Sequence, residues 1–278
     1  TITDTPRTAT QVDDVIHSNF VPETFVNYPQ LVSKESTPRS PNAVSVKHYI
    51  PTKNATPCYA KVRPVATKYQ QQVHEKLTEM LDQGVIRPSK SEWSSPLHIV
   101  PKKDGTLRLV GDYRRLNAVT SRDTYSLPFL QDFANELHGK TTFSVVDLKN
   151  AFWQVPIAEQ DIPKTCICTP LGSFDFLVMS FGLSGASQTF QRYINQVTWG
   201  LSVPTQMGNR PVTLFAYIDD VLVASESAEQ HQEDLQALFD RLASHGLKIN
   251  EGKCTFFQPE LAFLGHRISS EGVTPLPE

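Results

Sequence analysis

The stretch Leu214-Phe-Ala-Tyr-Ile-Asp219-Asp220-Val-Leu-Val-Ala-Ser225 places two adjacent aspartates between two apolar, strand-like runs. This pattern predicts a β-hairpin with the acidic pair at its tip. A hairpin built only for stability favours Asn-Gly or Asp-Gly there, because its tight turn needs a positive φ that glycine tolerates best. Asp-Asp instead sets two like charges side by side. A divalent cation is their natural partner, since hard cations bind carboxylate oxygens.

A second acidic strand end turns this possibility into a prediction. Taken alone, Asp219 and Asp220 are as consistent with a solvated turn as with a metal site. The run Thr142-Phe-Ser-Val-Val-Asp147 is another β-branched and aromatic stretch, and it also ends on a carboxylate. Three carboxylates on two strand ends can hold two metal ions about 4 Å apart, the arrangement used for in-line phosphoryl displacement.

These two segments resemble the catalytic motifs of reverse transcriptases, most closely those of gypsy-type long-terminal-repeat retrotransposons and their retroviral relatives. The segments are Phe143-Ser-Val-Val-Asp-Leu-Lys-Asn-Ala-Phe-Trp-Gln-Val-Pro156 and Tyr217-Ile-Asp-Asp220. The resemblance extends from about Ala55 to the C-terminus. Its further motifs are Gly84-Val-Ile-Arg-Pro88, Ser94-Ser-Pro-Leu97, Lys102-Lys-Asp-Gly105, Asp112-Tyr-Arg-Arg-Leu-Asn117, Phe181-Gly-Leu183 and Phe263-Leu-Gly-His266.

The resemblance implies an α+β fold made of the fingers and palm of a right-hand polymerase. We expect fingers in residues 58–122 and 155–183, a palm in residues 123–154 and 184–278, and a linker or N-terminal extension in residues 1–57. Across Thr142 to Phe257, strands and helices interleave as β-α-β-β-α-β, consistent with a ferredoxin-like split βαβ core. Because the sequence stops just beyond the primer-grip motif, we expect the thumb, connection and RNase H regions to be absent from this chain.

Several local patterns predict individual elements. Helices are expected from about Lys68 to Gln83, from Pro128 to Gly139, and after the capping box Ser227-Ala-Glu-Gln230. Strands are expected over Leu247–Phe257 and Leu261–Ile268, with a weakened or bulged strand at Gly111. In the N-terminal extension, Val12 to Phe25 is compatible with a short helix and Val44 to Ile50 alternates like a strand.

The resemblance also implies a chemistry, RNA-directed DNA polymerisation, in which two Mg²⁺ ions act at the α-phosphate and Mn²⁺ can substitute for them. Asp147 and Asp219 are expected to be metal ligands and Asp220 a supporting carboxylate, with the Leu148 carbonyl helping the second ion. Lys253 lies where such polymerases often carry a lysine that protonates pyrophosphate. A surface lysine is the alternative for that residue.

Further residues are expected to contact the nucleotide or the primer. Phe152 matches a family position beneath the incoming sugar, where a bulky ring clashes with a 2′-hydroxyl and so favours deoxynucleotides. The nucleotide contacts implied by the resemblance are Lys102, Arg108, Asn150, Ala151, Phe152, Phe181, Gly182 and Ile218. The primer contacts are Tyr217, Phe263, Leu264 and Gly265, of which Phe263 to Gly265 are equally compatible with the core.

Composition narrows the class of protein. Hydrophobic residues make up 39% of the chain and charged residues 20%, and no apolar run approaches the roughly 18 residues that a membrane span requires. The net charge is −3, but the stretch from Lys102 to Arg122 contains six basic residues and only two acidic ones. The four cysteines form no Cys-x-x-Cys pair and are interpreted as reduced thiols.

The partners implied are an RNA or DNA template with its primer, dNTPs, and the rest of a Pol polyprotein. That polyprotein would carry a protease upstream and RNase H and integrase downstream, with no membrane partner. The expected location is intracellular, in the cytoplasm or a virus-like particle. One alternative is a catalytically silent, element-derived nucleic-acid-binding or scaffold module. Another is a different palm enzyme, a nucleotidyl cyclase or an RNA-copying RNA polymerase, which Phe152 disfavours.

Overall fold

The computed structural model describes residues 27–32, 46–102, 105–202 and 210–277. Its helices and strands, in chain order, are α1 (Pro29–Val32), α2 (Gln70–Asp82), β1 (Ile86–Pro88), β2 (Ser95–Pro101), β3 (Leu107–Gly111), α3 (Arg114–Val119), α4 (Leu130–Phe133), β4 (Thr142–Asp147), β5 (Ile167–Thr169), β6 (Gly172–Phe176), α5 (Ala186–Thr198), β7 (Thr213–Tyr217), β8 (Asp220–Ser225), α6 (Ala228–Ser244), β9 (Thr255–Gln258), β10 (Glu260–Phe263), β11 (His266–Ser269) and β12 (Gly272–Pro275). Short 3₁₀ helices cover Thr67–Tyr69, Ala134–Leu137, Ala151–Gln154, Glu159–Thr165 and Glu251–Lys253.

These elements form two compact units. The first unit draws on Thr1–Ala43, Pro128–Lys149 and Asn195–Glu278, and the second on Val44–Leu127 and Asn150–Ile194. Both units are discontinuous in sequence, as expected for fingers and palm. Their divisions fall near the predicted boundaries but do not coincide with them, so the assignment of fingers and palm to residue ranges stays a prediction.

The first unit is built on a four-stranded antiparallel sheet with the order β7-β8-β4-β9. Read along the chain as β4-α5-β7-β8-α6-β9, this order is that of a ferredoxin-like split βαβ core, which confirms the predicted topology. A second, three-stranded sheet has the order β10-β11-β12.

Alternation along β4 and β8 gives the four-stranded sheet two different faces. We call the face that carries Phe143, Leu222 and Ala224 the front face. These three residues belong to a buried apolar cluster that also takes in α4, the 3₁₀ turn after it, and the three-stranded sheet. The opposite, back face carries Val221 and Val223, and both β4 and β8 contact α6.

Helix α6 forms where its sequence signals place it. Ser227 caps its N-terminus by accepting a hydrogen bond from the Gln230 N–H at 3.3 Å, as the capping box predicts. The apolar stripe Leu235, Leu238, Phe239 and Leu242 is fully buried. Gly246 follows the helix with φ +69°, a left-handed conformation that favours glycine.

The second unit contains a five-stranded sheet with the order β1-β6-β5-β2-β3, in which only β2 and β5 are parallel. The predicted helix near its start appears as the Thr67–Tyr69 turn followed by α2, whose stripe Val73, Leu77 and Met80 is buried. Gly84 follows α2 with φ +65°. The motif Lys102-Lys-Asp-Gly105 lies partly outside the described residues, but the Lys102 N–H donates to the Thr106 carbonyl at 2.8 Å, as in a hairpin between β2 and β3.

A weakened or bulged strand was expected at Gly111, and the bulge is wrong. Gly111 is the last residue of β3 and pairs in register with Leu97. Its glycine is explained by Tyr113, because a Cβ at position 111 would lie 2.3 Å from the Tyr113 ring. That ring is buried, and its hydroxyl donates to the Thr165 carbonyl at 2.8 Å. The missing side chain therefore makes room for a packed tyrosine.

Other expectations also need correction. Leu247–Phe257 is not one strand, because a 3₁₀ turn at Glu251–Lys253 precedes β9, and Leu261–Ile268 contains the turn between β10 and β11. The helix predicted over Val12–Phe25 lies outside the described residues. Of the strand predicted over Val44–Ile50, positions 44 and 45 also lie outside them, and positions 46–50 form only an isolated bridge at His48. Residues 27–32 are not an extended linker, since Tyr28 and Leu31 are buried.

Candidate active site

The acidic residues of the first unit lie at the ends of β4 and β8. Asp147 and Asp220 are directly opposite each other in this antiparallel pair. The backbone N–H of Leu148, next in the chain, donates to the Asp219 carbonyl at 2.7 Å. Because residues directly opposite in an antiparallel pair lie about 4.5–5.5 Å apart, the sheet itself forces these carboxylates together.

The hairpin tip differs by one residue from the predicted one. Tyr217 pairs with Asp220, so the two-residue turn is Ile218-Asp219 and Asp220 is the first residue of β8. Ile218 has φ +52°, which is unusual for a β-branched residue and costs conformational energy. Strain of this kind clusters at functional sites. The turn thus carries two departures from a stability-optimised hairpin, a strained isoleucine and an unpaired run of negative charge.

The carboxylates perturb one another electrostatically. Burial, followed by repulsion from Asp219 and Asp147, raises the pKa of Asp220 to about 6. Burial also raises the pKa of Asp147, with the Lys253 ammonium opposing and Asp219 adding to that rise. Both shifts disfavour the ionised form, which is what an acidic cluster shows before a cation neutralises it.

Lys253 lies beside this cluster. Its Nζ is 3.6 Å from Asp147 Oδ2, although the lysine side chain is 67% exposed. The turn that carries Lys253 is tied to Asp147 through the backbone, since Asn250 N–H donates to the Asp147 carbonyl at 2.8 Å. Cys254 Sγ accepts a weak hydrogen bond from Asp147 N–H at 3.4 Å. No local sequence pattern marks Asn250 or Cys254 as supports of the acidic strand end.

The fit of a divalent cation rests on the donor chemistry. Among the described residues, no set of three or more His, Cys, Asp or Glu side chains is already arranged as a metal-binding cluster. Burial and repulsion from Asp219 and Asp147 nevertheless raise the pKa of Asp220, and carboxylate oxygens are the ligands that hard cations prefer. The residues therefore fit a divalent ion by charge and donor type.

In the second unit, three of the predicted nucleotide contacts form one stack. The Phe152 and Phe181 ring centroids are 5.0 Å apart, and the Arg108 guanidinium lies 4.4 Å from the Phe181 centroid. Phe190 supports Phe152 from another side at 6.2 Å. We call Arg108, Phe181 and Phe152 the aromatic stack. Its members come from β3, from the loop before α5, and from the 3₁₀ helix Ala151–Gln154.

The loop that carries Phe181 is held by Asn117, which the sequence analysis quoted in a motif but gave no role. Asn117 Nδ2 donates to the Gly182 carbonyl at 2.8 Å, and its Oδ1 accepts from Ser184 N–H at 2.9 Å. Gly182 itself has φ +88°, and a Cβ there would approach the Gly111 carbonyl to 3.5 Å. The side-chain nitrogen and oxygen of Asn117 thus both hold this turn in place.

The remaining nucleotide candidates are placed as follows. Lys102 is exposed at the end of β2. Asn150 has φ +46° and begins the 3₁₀ helix whose first residue, Ala151, is buried. A left-handed asparagine next to a buried alanine turns the chain sharply after Lys149. Ile218 lies in the strained hairpin turn of the first unit.

The primer candidates divide into core and turn residues. Phe263 is buried in the front-face cluster, with its ring 6.0 Å from that of Phe215, and Tyr217 and Leu264 pack against the same cluster. Leu264 and Gly265 form the two-residue turn between β10 and β11, with φ +47° and +75°. Phe263 therefore supports the turn from below, and only the turn itself is shaped for contact.

The comparisons with known proteins identify the family to which this chain is similar. The family model for reverse transcriptase (RNA-dependent DNA polymerase) matches residues 100–268. The Pol polyprotein of transposon 297 from Drosophila melanogaster is 34% identical over 84% of this chain, which spans 22% of that relative. A Tf2 transposon polyprotein from Schizosaccharomyces pombe is 28% identical over 96% of this chain, spanning 20% of the relative. These relatives confirm the resemblance to gypsy-type elements, and the chain covers about a fifth of their length.

Solved structures confirm the fold. The foamy viral protease–reverse transcriptase in complex with double-stranded DNA matches with a TM-score of 0.79 at 20% identity, over 99% of this chain and 49% of that one. The same kind of protein in complex with an RNA/DNA hybrid matches with a TM-score of 0.78 at 19% identity, over 99% and 37%. No helix among the described residues is long and apolar enough to span a membrane.

Proposed function

The chain belongs to the reverse transcriptase family, and from that premise we propose that it adds deoxynucleotides to a primer 3′-hydroxyl on an RNA template. The main support for the proposal is that Asp147 pairs with Asp220, beside Asp219, at the strand ends. Repulsion from Asp219 and Asp147 contributes to the raised pKa of Asp220, and a bound divalent cation would relieve that repulsion. Reverse transcriptases generally use divalent metal ions. This chain offers carboxylates of the right chemistry in the motif that resembles theirs.

We assign Asp147 and Asp219 as ligands of two Mg²⁺ ions, with Asp220 as supporting carboxylate and the Leu148 carbonyl as a further donor. Mn²⁺ is a possible substitute. When bound, such ions supply activation of the 3′-hydroxyl and neutralisation of charge on the phosphates. The strand pairing supports this assignment because it holds the Asp147 and Asp220 backbones in fixed register. The carboxylates then need little reorganisation to share a cation.

Lys253 is proposed to hold a proton for the leaving pyrophosphate. Its support is the 3.6 Å contact between its Nζ and Asp147, which places an ammonium beside the acidic strand end. Without that contact, an exposed lysine would have no defined position beside the acidic residues. The proton would pass from Nζ to a pyrophosphate oxygen, which gives general acid assistance to the leaving group.

The aromatic stack is proposed to select and contact the nucleotide. Phe152 is held between the Phe181 and Phe190 rings, so its position cannot adjust freely to admit a 2′-hydroxyl. Arg108 presents a forked donor suited to phosphate oxygens, with Lys102 as a second cation on the same hairpin. The backbone of Asn150 and Ala151, together with Gly182 and Ile218, is proposed to complete the nucleotide contacts.

The proposed partners follow from the relatives. Several of these are Pol polyproteins, so the chain is proposed to act beside a protease, RNase H and integrase, on a template with primer and dNTPs. Tyr217, Phe263, Leu264 and Gly265 are proposed as the primer contacts, of which the Leu264-Gly265 turn is best shaped. An intracellular site, in the cytoplasm or a virus-like particle, is proposed with them.

The test is primer extension on poly(rA)·oligo(dT) with dTTP or UTP, comparing the chain with Asp219→Asn and Phe152→Ala. We expect the parent to use dTTP, Asp219→Asn to extend nothing, and Phe152→Ala to gain UTP incorporation by about tenfold or more. If the parent is silent, the same variants are assayed in a protein that continues beyond Glu278. Silence there as well would contradict the proposal and favour a binding or scaffold module.

A further inference from the structure

Residues 27–32 form a short packed segment in the first unit, which we call the docked segment. Its Leu31 side chain is fully buried and Tyr28 is nearly so. The Tyr28 ring lies 5.7 Å from the Phe239 ring of α6, and the Tyr28 hydroxyl donates to Asp240 Oδ1 at 2.6 Å. One aromatic, one aliphatic and one phenol–carboxylate contact therefore attach this segment to α6 and its neighbourhood.

Backbone hydrogen bonds attach the docked segment to residues 248–250, which follow α6. The Ile249 N–H donates to the Leu31 carbonyl at 2.9 Å, and Lys248 Nζ donates to the Gln30 carbonyl at 2.7 Å. Ile249 is itself buried. These bonds satisfy carbonyls in the docked segment that α1, at four residues, is too short to satisfy itself.

The opposite edge of residues 248–250 contacts the end of the acidic strand. The Asn250 N–H donates to the Asp147 carbonyl at 2.8 Å, the Lys149 N–H donates to the Lys248 carbonyl at 2.9 Å, and Leu148 and Ile249 form an antiparallel bridge. Successive residues thus direct their backbone groups to alternate sides, as in a strand between two neighbours. One side is the docked segment, and the other is the Asp147 strand end.

From this geometry we infer that the docked segment is a positioning element of the active site. By pairing with Ile249, it fixes Lys248–Asn250 against Asp147 and Leu148, and it sets the start of the turn that brings Lys253 to Asp147. The inference rests on the proposed function, because the residues positioned are the proposed metal ligands. Removing the segment from its surface leaves the Ile249 N–H without its partner and loosens one side of the acidic strand end.

The surface that binds the docked segment has a defined chemistry. It offers a carboxylate acceptor for a phenol, an apolar site for one leucine, and two donors for main-chain carbonyls, namely Ile249 N–H and Lys248 Nζ. A peptide carrying the same Tyr-x-x-Leu spacing should therefore bind there when the chain's own segment is displaced. This property separates a docking surface from ordinary core packing.

The first test uses two aspartate substitutions in the full chain. Leu31→Asp places a charge in a buried apolar site and should expel the segment, whereas Pro29→Asp adds the same charge at an exposed position two residues away. In Leu31→Asp we expect the Ile249 and Asn250 amides to exchange with solvent about tenfold faster or more. The turnover number for dTTP incorporation should fall about tenfold with a KM changed less than about twofold, because a misplaced metal ligand affects the reaction step. Pro29→Asp should match the parent.

The second test is rescue in trans. A synthetic peptide with the sequence of residues 22–36, added to Leu31→Asp, should restore both amide protection and turnover, and the same peptide carrying Leu31→Asp should restore neither. If Leu31→Asp kept the parent's turnover while its Ile249 amide exchanged faster with solvent, the inference would be overturned. Peptide binding that restores protection without turnover would also overturn it.

Two further arms keep the outcomes distinct. If neither the parent nor the protein that continues beyond Glu278 extends a primer, the proposed function fails. The inference is then judged on Mn²⁺ affinity, which should drop in Leu31→Asp and recover with the peptide. Unchanged Mn²⁺ affinity would overturn it. If Leu31→Asp does not fold, Tyr28→Phe removes only the bond to Asp240, and it should speed Ile249 exchange by about two- to fivefold. No change in that variant would count against the docked segment.

Discussion

The two faces of the strands β4 and β8 hold polar groups of opposite character. On the front face, Asp147 and Asp220 lie opposite each other as like charges. On the back face, Ser144 and Ser225 belong to what we call the back network, which continues through His231, Asp234 and Arg210. The same pair of strands thus presents an unbalanced acidic cluster on one side and a closed hydrogen-bond network on the other.

The back network has only one consistent direction of hydrogen bonding. Ser144 Oγ accepts from the Phe257 N–H at 3.0 Å and lies 2.6 Å from His231 Nε2. Ser225 Oγ donates to Asp234 Oδ2 at 2.6 Å and accepts from His231 Nδ1–H at 2.8 Å. Asp234 also pairs with Arg210 at 2.5 Å. Burial lowers the pKa of His231 to about 4, so the ring is neutral at pH 7. Because Nδ1 carries the proton, Nε2 accepts a hydrogen bond from the Ser144 hydroxyl.

The difference teaches which buried polar groups are structural. In the back network the buried serine, histidine and aspartate groups are hydrogen-bonded to one another, so the network stabilises the fold. On the front face, burial and repulsion between carboxylates still raise the pKa of Asp147 and Asp220, and the exposed Lys253 ammonium opposes these shifts only in part. A Ser-His-Asp set would ordinarily suggest nucleophilic catalysis, but here the serines are buried and already bonded.

The largest expected effect comes from the front face. Asp147→Asn keeps the size and strand position of the side chain but removes the charge that is proposed to bind a metal ion. We expect primer extension to fall by about a thousandfold or more, with the unfolding free energy unchanged or raised. Single-turnover incorporation and chemical denaturation of the same preparation measure both quantities. Retention of more than a tenth of the parent's turnover would remove Asp147 from the metal site.

Breaking the back network should act on stability. His231→Ala leaves Ser144, Ser225 and Asp234 without their shared partner in a buried site, and we expect a loss of about 2–4 kcal/mol in unfolding free energy. Turnover per folded molecule should stay within about threefold of the parent, because the front face is untouched. Urea denaturation with activity measured below the transition checks this. Equal stability of variant and parent would contradict the assigned network.

Lys253 gives an intermediate effect. Lys253→Ala removes the ammonium beside Asp147, and we expect turnover to fall about tenfold, while Lys253→Arg, which keeps the charge but is a poor proton donor, recovers only part of the loss. Pre-steady-state incorporation by the parent and both variants distinguishes these cases. Parent-like turnover in Lys253→Ala would make this residue a surface lysine.

The smallest effect concerns pH. The pKa of Asp220 is raised from 3.8 to about 6, so its contribution to metal-free stability is fully present below about pH 3.8 and is lost as the pH rises through 6. Asp220→Asn should therefore raise the metal-free melting temperature by about 2 °C at pH 7.5 and leave it unchanged at pH 3.8. Differential scanning calorimetry at both values checks the sign. A lower melting temperature at pH 7.5 would show that the cluster is not self-repelling.

Local patterns encode β4, the strands on either side of the acidic hairpin and the capped helix α6, so the sequence predicts these elements and places three aspartates at strand ends. The strands after α6 are not encoded in this way, because turns interrupt the apolar runs that predicted them. Sequence reasoning could not locate the hairpin tip, since Ile218 adopts a positive φ that its residue type disfavours. It missed the back network because Ser144 and His231 are 87 residues apart. The docked segment was also missed, because Tyr28 and Leu31 pack on residues more than 200 positions away and show no periodicity of their own.

The most direct test of the central claim is a Mn²⁺ titration followed by electron paramagnetic resonance on the parent, Asp219→Asn and His231→Ala. If the front face is the metal site and the back network is structural, the parent and His231→Ala bind Mn²⁺ alike, and Asp219→Asn binds at least about tenfold more weakly. Equal binding by Asp219→Asn and the parent would contradict the account.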